Sequence, residues 1–232
     1  MEEQFPAAPG EAHLAPTRFL DSDHPAVRDF AHEAIAGARG ERERAVRLFY
    51  AVRDGVRYDG LDMTFTPERY TASTVLARRR AYCIPKAILL AASARVVGMP
   101  SSLGFGDVVN HIAPPRLLEA METNVFYWHG NTNLFIEGRW VKATPAFNIE
   151  MCRKFNVLPL EFDGVHDSLL HPYDALNNRH MEYVGDHGAF ADFPAQQVFD
   201  VMRAAYPRFS QLIETGGLEE YMRGPEPIPA QG

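Results

Sequence analysis

The chain is poor in cysteine: two of its 232 residues, Cys83 and Cys152. Two cysteines cannot build a disulfide scaffold, so a reducing compartment is expected. Positive charge is scarce too. Lys and Arg number 23 against 30 Asp and Glu, for a net charge of −7. DNA or RNA binding needs a basic patch, so nucleic acid is not an expected partner. Long hydrophobic runs are missing. The longest apolar stretch, residues 87–99, is broken by Ser93 and Arg95. It falls well short of the roughly 20 residues of a membrane span. The first sixteen residues show neither the basic nor the apolar region of a secretion signal. A soluble cytoplasmic protein with no membrane partner is expected.

What is present is ample material for a core, with 46% hydrophobic and 11% aromatic residues. The spacing predicts a helix from Pro25, capped by Asp21 or Asp23, with Val27, Phe30, Ala31, Ala34 and Ile35 on one face. A second helix is expected over residues 41–53, an extended piece over 56–58, a loop over 59–70 and a short helical segment over 74–80. Residues 83–97 form the most helical run, apolar around most of its surface and stopped by Gly98 and Pro100. The period then changes. Strands are expected at residues 102–109 and 125–128, and a hairpin joins 134–136 to 139–142 through Glu137-Gly138. Residues 149–194 look irregular and polar. A last helix over residues 195–206 precedes a Gly- and Pro-rich tail.

This order predicts an α+β fold with a buried central helix packed on an antiparallel sheet. Residues 1–16 and 223–232 are expected to be flexible tails around a single domain, 17–222.

Cys83 opens the buried helix, and Pro85 suits its first turn. A helix N-terminus favours negative charge, which predicts a thiolate at Cys83 with a lowered pKa. The nearby backbone N–H groups offer a place for an oxyanion. A thiolate needs a base, and nine histidines are available. His129 opens the strand pattern that runs into the hairpin and Trp140. His111, after residues 106–110, is a second candidate base.

Two segments belong together. One is residues 81–92, Ala-Tyr-Cys-Ile-Pro-Lys-Ala-Ile-Leu-Leu-Ala-Ala, followed by Val97-Gly98-Met99-Pro100. The other is residues 128–145, from Trp128-His129-Gly130 through Gly138-Arg139-Trp140 to Thr144-Pro145. The ordered set resembles the core of the transglutaminase-like superfamily, over about residues 45–148. The resemblance implies a papain-like α+β core and a Cys-His-Asp triad. Cys83 takes the nucleophile position and His129 the base position, 129 − 83 = 46 residues apart. Trp140 takes the position of the hairpin Trp. The third triad position falls on Thr144, so the aspartate is missing. Papain-like enzymes use a neutral Asn there, and Asn131, Asn148 and Asp107 are alternative orienters of the histidine.

The resemblance implies a cysteine enzyme of acyl transfer. It would be a peptide or amide hydrolase, or an amide-forming acyltransferase, acting on a peptide, amide or thioester without a cofactor or metal. A non-catalytic binding module on the same fold is the alternative. Residues 161–187 are rich in metal-capable side chains, including Asp163, His166, His171, His180, Glu182, Asp186 and His187. They show no established ligand spacing, so a metal-dependent hydrolase ranks last. A polar loop is the plain expectation, and a lid over the active site is a further one. Cys152 is expected to be a buried bystander. Arg78-Arg79-Arg80 is read as a solvated turn, or else as a binder of carboxylate or phosphate.

Overall fold

A computed structural model describes residues 8–111, 113–170 and 180–224. Helix α1 spans Pro25–Ala34. Its cap is His24, whose Nδ1 accepts the Ala26 N–H at 3.2 Å. The expected cap is thus displaced, and Asp21 instead accepts the Ser73 N–H at 3.1 Å. Helix α2 spans Gly40–Gly55 and leads into strand β1, Arg57–Tyr58. The loop after it ends in a 3-10 turn at Pro67–Tyr70. Helix α3, Ala72–Arg78, starts at Thr71, whose Oγ1 accepts the Thr74 N–H. Strand β2, Arg80–Ala81, pairs in parallel with β1. Part of the segment read as a tail is tied to this body, because the Ala15 carbonyl accepts from Arg95 Nη1 at 2.6 Å.

Helix α4, Cys83–Val96, is the axis of the molecule. Its residues from Cys83 to Arg95 are all buried. That is why its sequence is apolar on every side. Two polar residues on it are held by backbone oxygens. Lys86 donates to the carbonyls of Arg53 at 2.8 Å and Val56 at 2.5 Å, closing the C-terminal end of α2. Burial pushes its ammonium down to about 7. Arg95 donates to the carbonyls of Ala15, Ser101 and Ala191.

One face of α4 rests on a four-stranded antiparallel sheet of order β5-β4-β3-β6. Strand β3 spans Ser101–Asn110. Helix α5, Pro115–Met121, follows it and was not legible from the pattern. Strand β4, Val125–Ile136, is one continuous strand rather than the two expected. A bulge interrupts the pattern near its start. The hairpin to β5, Arg139–Ala143, is as expected. Glu137 and Gly138 both take positive φ, 49° and 86°, as a tight two-residue hairpin turn requires.

The segment read as irregular holds two elements. Helix α6 spans Ile149–Lys154, and strand β6, Met181–Phe190, pairs with β3. Gly185, Asp186, His187 and Gly188 hide β6 from a pattern search, and it is mostly exposed or half-buried. Helix α7, Ala195–Ala205, matches the last expected helix. Beyond it the chain continues as α8, Pro207–Glu214, and α9, Leu218–Arg223. Most of the tail expected at 223–232 lies outside the described residues. Among the described residues, no helix is long and apolar enough to cross a membrane.

The α+β expectation therefore holds, with the buried helix on the antiparallel sheet. Lys86→Met should cost about 1–3 kcal/mol of stability by leaving the Arg53 and Val56 carbonyls unsatisfied. Urea unfolding checks this, and an unchanged midpoint would remove Lys86 as the tie between α4 and α2.

Candidate active site

Cys83 sits in the first turn of α4, and Gly130 on β4 lies against it. A Cβ on Gly130 would stand 3.1 Å from Ile84 Cα. Glycine leaves this approach unstrained, whereas a side chain would press the helix backbone back by a few tenths of an ångström. Thr132, two residues on, donates its Oγ1–H to the Ala87 carbonyl at 2.8 Å and fastens the strand to the helix.

This approach puts the sulfur in a buried setting, where Cys83 is 8% exposed. Burial pushes its thiol up to about 11, against the N–H groups of Gly130, Ile84 and Cys83 itself, which pull it down. The expected thiolate is thus corrected. The helix N-terminus does favour negative charge, but desolvation is larger. Cys83 is a neutral thiol near pH 7.

His129 follows a strained residue. Trp128 has φ of 59° although it is not glycine. The register of β3 with β4 jumps here: Gly106 faces His129, and Val108 faces Phe126. Tyr127 and Trp128 therefore stand opposite Asp107 alone, as in a bulge. Asp107 closes the bulge by accepting the Trp128 N–H at 3.1 Å. The same Oδ1 pairs with His187 Nε2 at 2.7 Å, and the His187 ring stacks on Trp128 at 4.4 Å and 6°. Tyr206, just past α7, holds the other side. Its hydroxyl donates to the Val125 carbonyl at 2.8 Å and accepts the Tyr127 N–H at 2.6 Å.

Cys83 and His129 line one small cavity, of about 80 Å³. Tyr58, Tyr82 and Trp128 share its walls, with residues from α5, α7 and α8. No hydrogen bond joins Cys83 to His129 in this state. Burial pushes the His129 imidazole down to about 4, so the ring too is neutral near pH 7.

Thr144 lies on the other side of the ring. His129 and Thr144 line a second small cavity with Leu160, Leu169, Leu170 and Met181. Ser168 brings this cover in by donating its N–H to the Lys142 carbonyl and accepting the Thr144 N–H, both at 2.8 Å. His129 Nδ1 and Thr144 Oγ1 are buried with no hydrogen-bond partner among the described residues. The alternative orienters are occupied elsewhere. Asn131 donates to Asn133 Oδ1 at 2.9 Å, Asn148 accepts the Tyr58 N–H at 2.9 Å, and Asp107 holds the bulge.

The remaining candidates are placed away from the sulfur. His111 pairs with Glu182 at 3.7 Å and does not line the Cys83 cavity. Cys152 is buried, and both cysteines are free thiols. Arg78 and Arg80 do bind a carboxylate, but it is the chain's own Asp62, which they share with Arg69. Of the His- and Asp-rich segment, His166 pairs with Asp163 at 2.7 Å on the surface and His187 with Asp107. His171 lies outside the described residues. Among the described residues, no three His, Cys, Asp or Glu side chains gather as a metal would need.

A cysteine at the head of a buried helix, packed on an antiparallel sheet whose strand β4 carries a histidine, defines the papain-like class of α+β core. The family model for the transglutaminase-like superfamily matches residues 28–145. This chain belongs to that superfamily. It is also similar to a solved candidate cysteine protease from Cytophaga hutchinsonii, with 14% identity and a TM-score of 0.46, over 81% of this chain and 57% of that one. A solved candidate protease from Parabacteroides distasonis is similar at 14% identity and a TM-score of 0.36, over 50% of this chain and 22% of that one. The chain thus spans little more than half the length of the first and under a quarter of the second. No curated protein matches the sequence.

The Asp107–His187–Trp128 set was not legible in the sequence, because it depends on β6 pairing with β3. Asp107→Ala should cost about 1–3 kcal/mol by orphaning the Trp128 N–H. It should also shift the fluorescence of Trp128, whose stacking partner is released. Intact fluorescence and stability together would show that Asp107 does not hold the bulge.

Proposed function

We propose that the chain is a cysteine-dependent acyl-transfer enzyme, with Cys83 as nucleophile and His129 as base. The observation that carries this reading is that Cys83 and His129 line the same cavity at the N-terminus of α4. Membership of the superfamily supports it. The substrate offers a carbonyl carbon in an amide, peptide or thioester. His129 takes the Cys83 proton as the sulfur attacks, so a C–S bond forms and the carbonyl becomes an oxyanion. The first-turn N–H groups of α4 lie beside that oxygen's position. The oxyanion then collapses, the bond to the leaving group breaks, and His129 returns the proton to it. Water or an amine releases the acyl group by the same steps in reverse. Free thiols at both cysteines fit a reducing compartment such as the cytoplasm.

In this reading both partners start neutral, and the proton moves only as the C–S bond forms. Thr144 stands at the third position as a neutral group, and it orients the His129 ring once its Oγ1 takes the Nδ1 hydrogen bond that neither atom makes here among the described residues. A second reading is a binding module that keeps the fold without catalysis. It draws support from the neutral thiol and from the unpartnered His129 Nδ1 and Thr144 Oγ1.

The two readings separate on a panel of peptides, amides and thioesters. The wild type should turn over at least one class, and Cys83→Ala should lower that rate by two orders of magnitude or more. Turnover that survives Cys83→Ala would exclude Cys83 as the nucleophile, and no turnover of any class by the wild type would favour the binding module. Thr144→Asp tests the base. A carboxylate there accepts the Nδ1–H and raises the pKa of His129, so the thiolate–imidazolium pair becomes more populated. Iodoacetamide should label wild-type Cys83 slowly at pH 7, and about tenfold faster for each unit by which the pair is favoured. The expected gain in Thr144→Asp is about tenfold. No gain in a folded variant would remove His129 as the partner of Cys83.

A further inference from the structure

The cavity at the sulfur is too small for a substrate side chain, but it has a larger neighbour. A cleft of about 450 Å³ shares Tyr58, Gly60, Leu117 and Phe126 with it. This lies within the range of small-molecule sites. Beyond the shared residues its walls are mostly apolar, among them Leu61, Phe147, Met151, Phe155 and Val157. Its charged groups are few. Arg57 and Asp59 pair with each other at 3.5 Å, and the Lys154 ammonium lies 5.6 Å over the Phe155 ring. Phe155 is 42% exposed, so apolar surface faces water at this mouth.

We propose that this cleft receives a large apolar acyl group, which sets the substrate class of the Cys83 site. The inference rests on Cys83 as nucleophile. The reacting carbonyl fills the small chamber, and the acyl group leaves it past Tyr58, Gly60 and Leu117. Burying that group removes apolar surface of both partners from water. A charged acyl group would lose its hydration among these apolar walls, where Arg57 and Asp59 already pair and the Lys154 ammonium stays at the open mouth over Phe155. Selection is therefore by apolar bulk on the acyl side of the scissile bond, and a short acyl group such as acetyl is a poor substrate.

Alkyl chloromethyl ketones test this, because their alkyl group lies on the acyl side of the carbonyl. Cys83 sulfur displaces chloride, a C–S bond replaces the C–Cl bond, and His129 takes the thiol proton. The rate is read by peptide mass analysis for chloroacetone, the octyl ketone, a phenylalkyl ketone and an ω-carboxyalkyl ketone. Cys152 serves as the internal reference. The octyl and phenylalkyl ketones should modify Cys83 at least about tenfold faster than chloroacetone after correction for Cys152. The carboxyalkyl ketone should show no such gain. Leu117→Trp or Met151→Trp, whichever folds, should lower the octyl-to-methyl ratio towards one. Equal rates across the ketones, or a fastest carboxyalkyl ketone, would overturn the acyl-group inference and leave Cys83 as nucleophile standing. Modification of Cys83 by none of them would overturn the nucleophile reading and the inference with it.

Discussion

The close approach of strand β4 to the first turn of α4 at Gly130 is the contact on which the rest of the site depends. With no side chain on Gly130, the strand lies against Ile84 and its N–H reaches the Cys83 sulfur. The neighbour of Gly130 is His129, so the same contact puts a histidine beside the cavity of the cysteine. Thr132 then ties the strand to the helix carbonyl at Ala87. A side chain at 130 would press on the Ile84 backbone, next to both groups, and the strand or the helix end would have to give. The bulge at Trp128 acts on the other side of His129, where Asp107, His187 and Tyr206 hold the backbone in a conformation it would not otherwise keep.

The cost of this closeness is burial. A helix N-terminus and three backbone N–H groups favour a thiolate, yet the thiol is pushed up to about 11. The same burial pushes the imidazole down to about 4. Desolvation thus wins over the helix N-terminus at Cys83 and acts alone at His129, and the pair rests uncharged. An aspartate at position 144 would oppose that result, because a carboxylate beside Nδ1 favours imidazolium. Thr144 brings no charge. The chemistry proposed for this site is therefore a coupled proton transfer rather than attack by a standing thiolate.

The parts legible in the sequence were those with a local signal. The buried helix announced itself by apolar residues on every face, and the β4–β5 hairpin by Glu137-Gly138. The family segments placed Cys83, His129 and Thr144 in order along the chain. Strand β6 was hidden because its glycines and charged residues lie on an exposed edge, where apolar alternation is not required. The bulge at Trp128 was hidden for another reason. The groups that hold it come from residues 107, 187 and 206, far apart in the chain. Strand β4 was read as two strands because residues 129–133, His-Gly-Asn-Thr-Asn, carry no apolar side chain although they pair regularly with β3. At Cys83 both the helix N-terminus and the burial of the helix are visible in the sequence, but not that desolvation is the larger of the two.

The central claim is that Cys83 carries the acyl group. Brief exposure of the protein to a p-nitrophenyl ester, followed by acid quench and peptide mass analysis, measures it directly. The account predicts one acyl group on the Cys83 peptide, absent in Cys83→Ala and formed more slowly in His129→Ala. An acyl group on Cys152 or another residue, or ester consumption undiminished in Cys83→Ala, would contradict it.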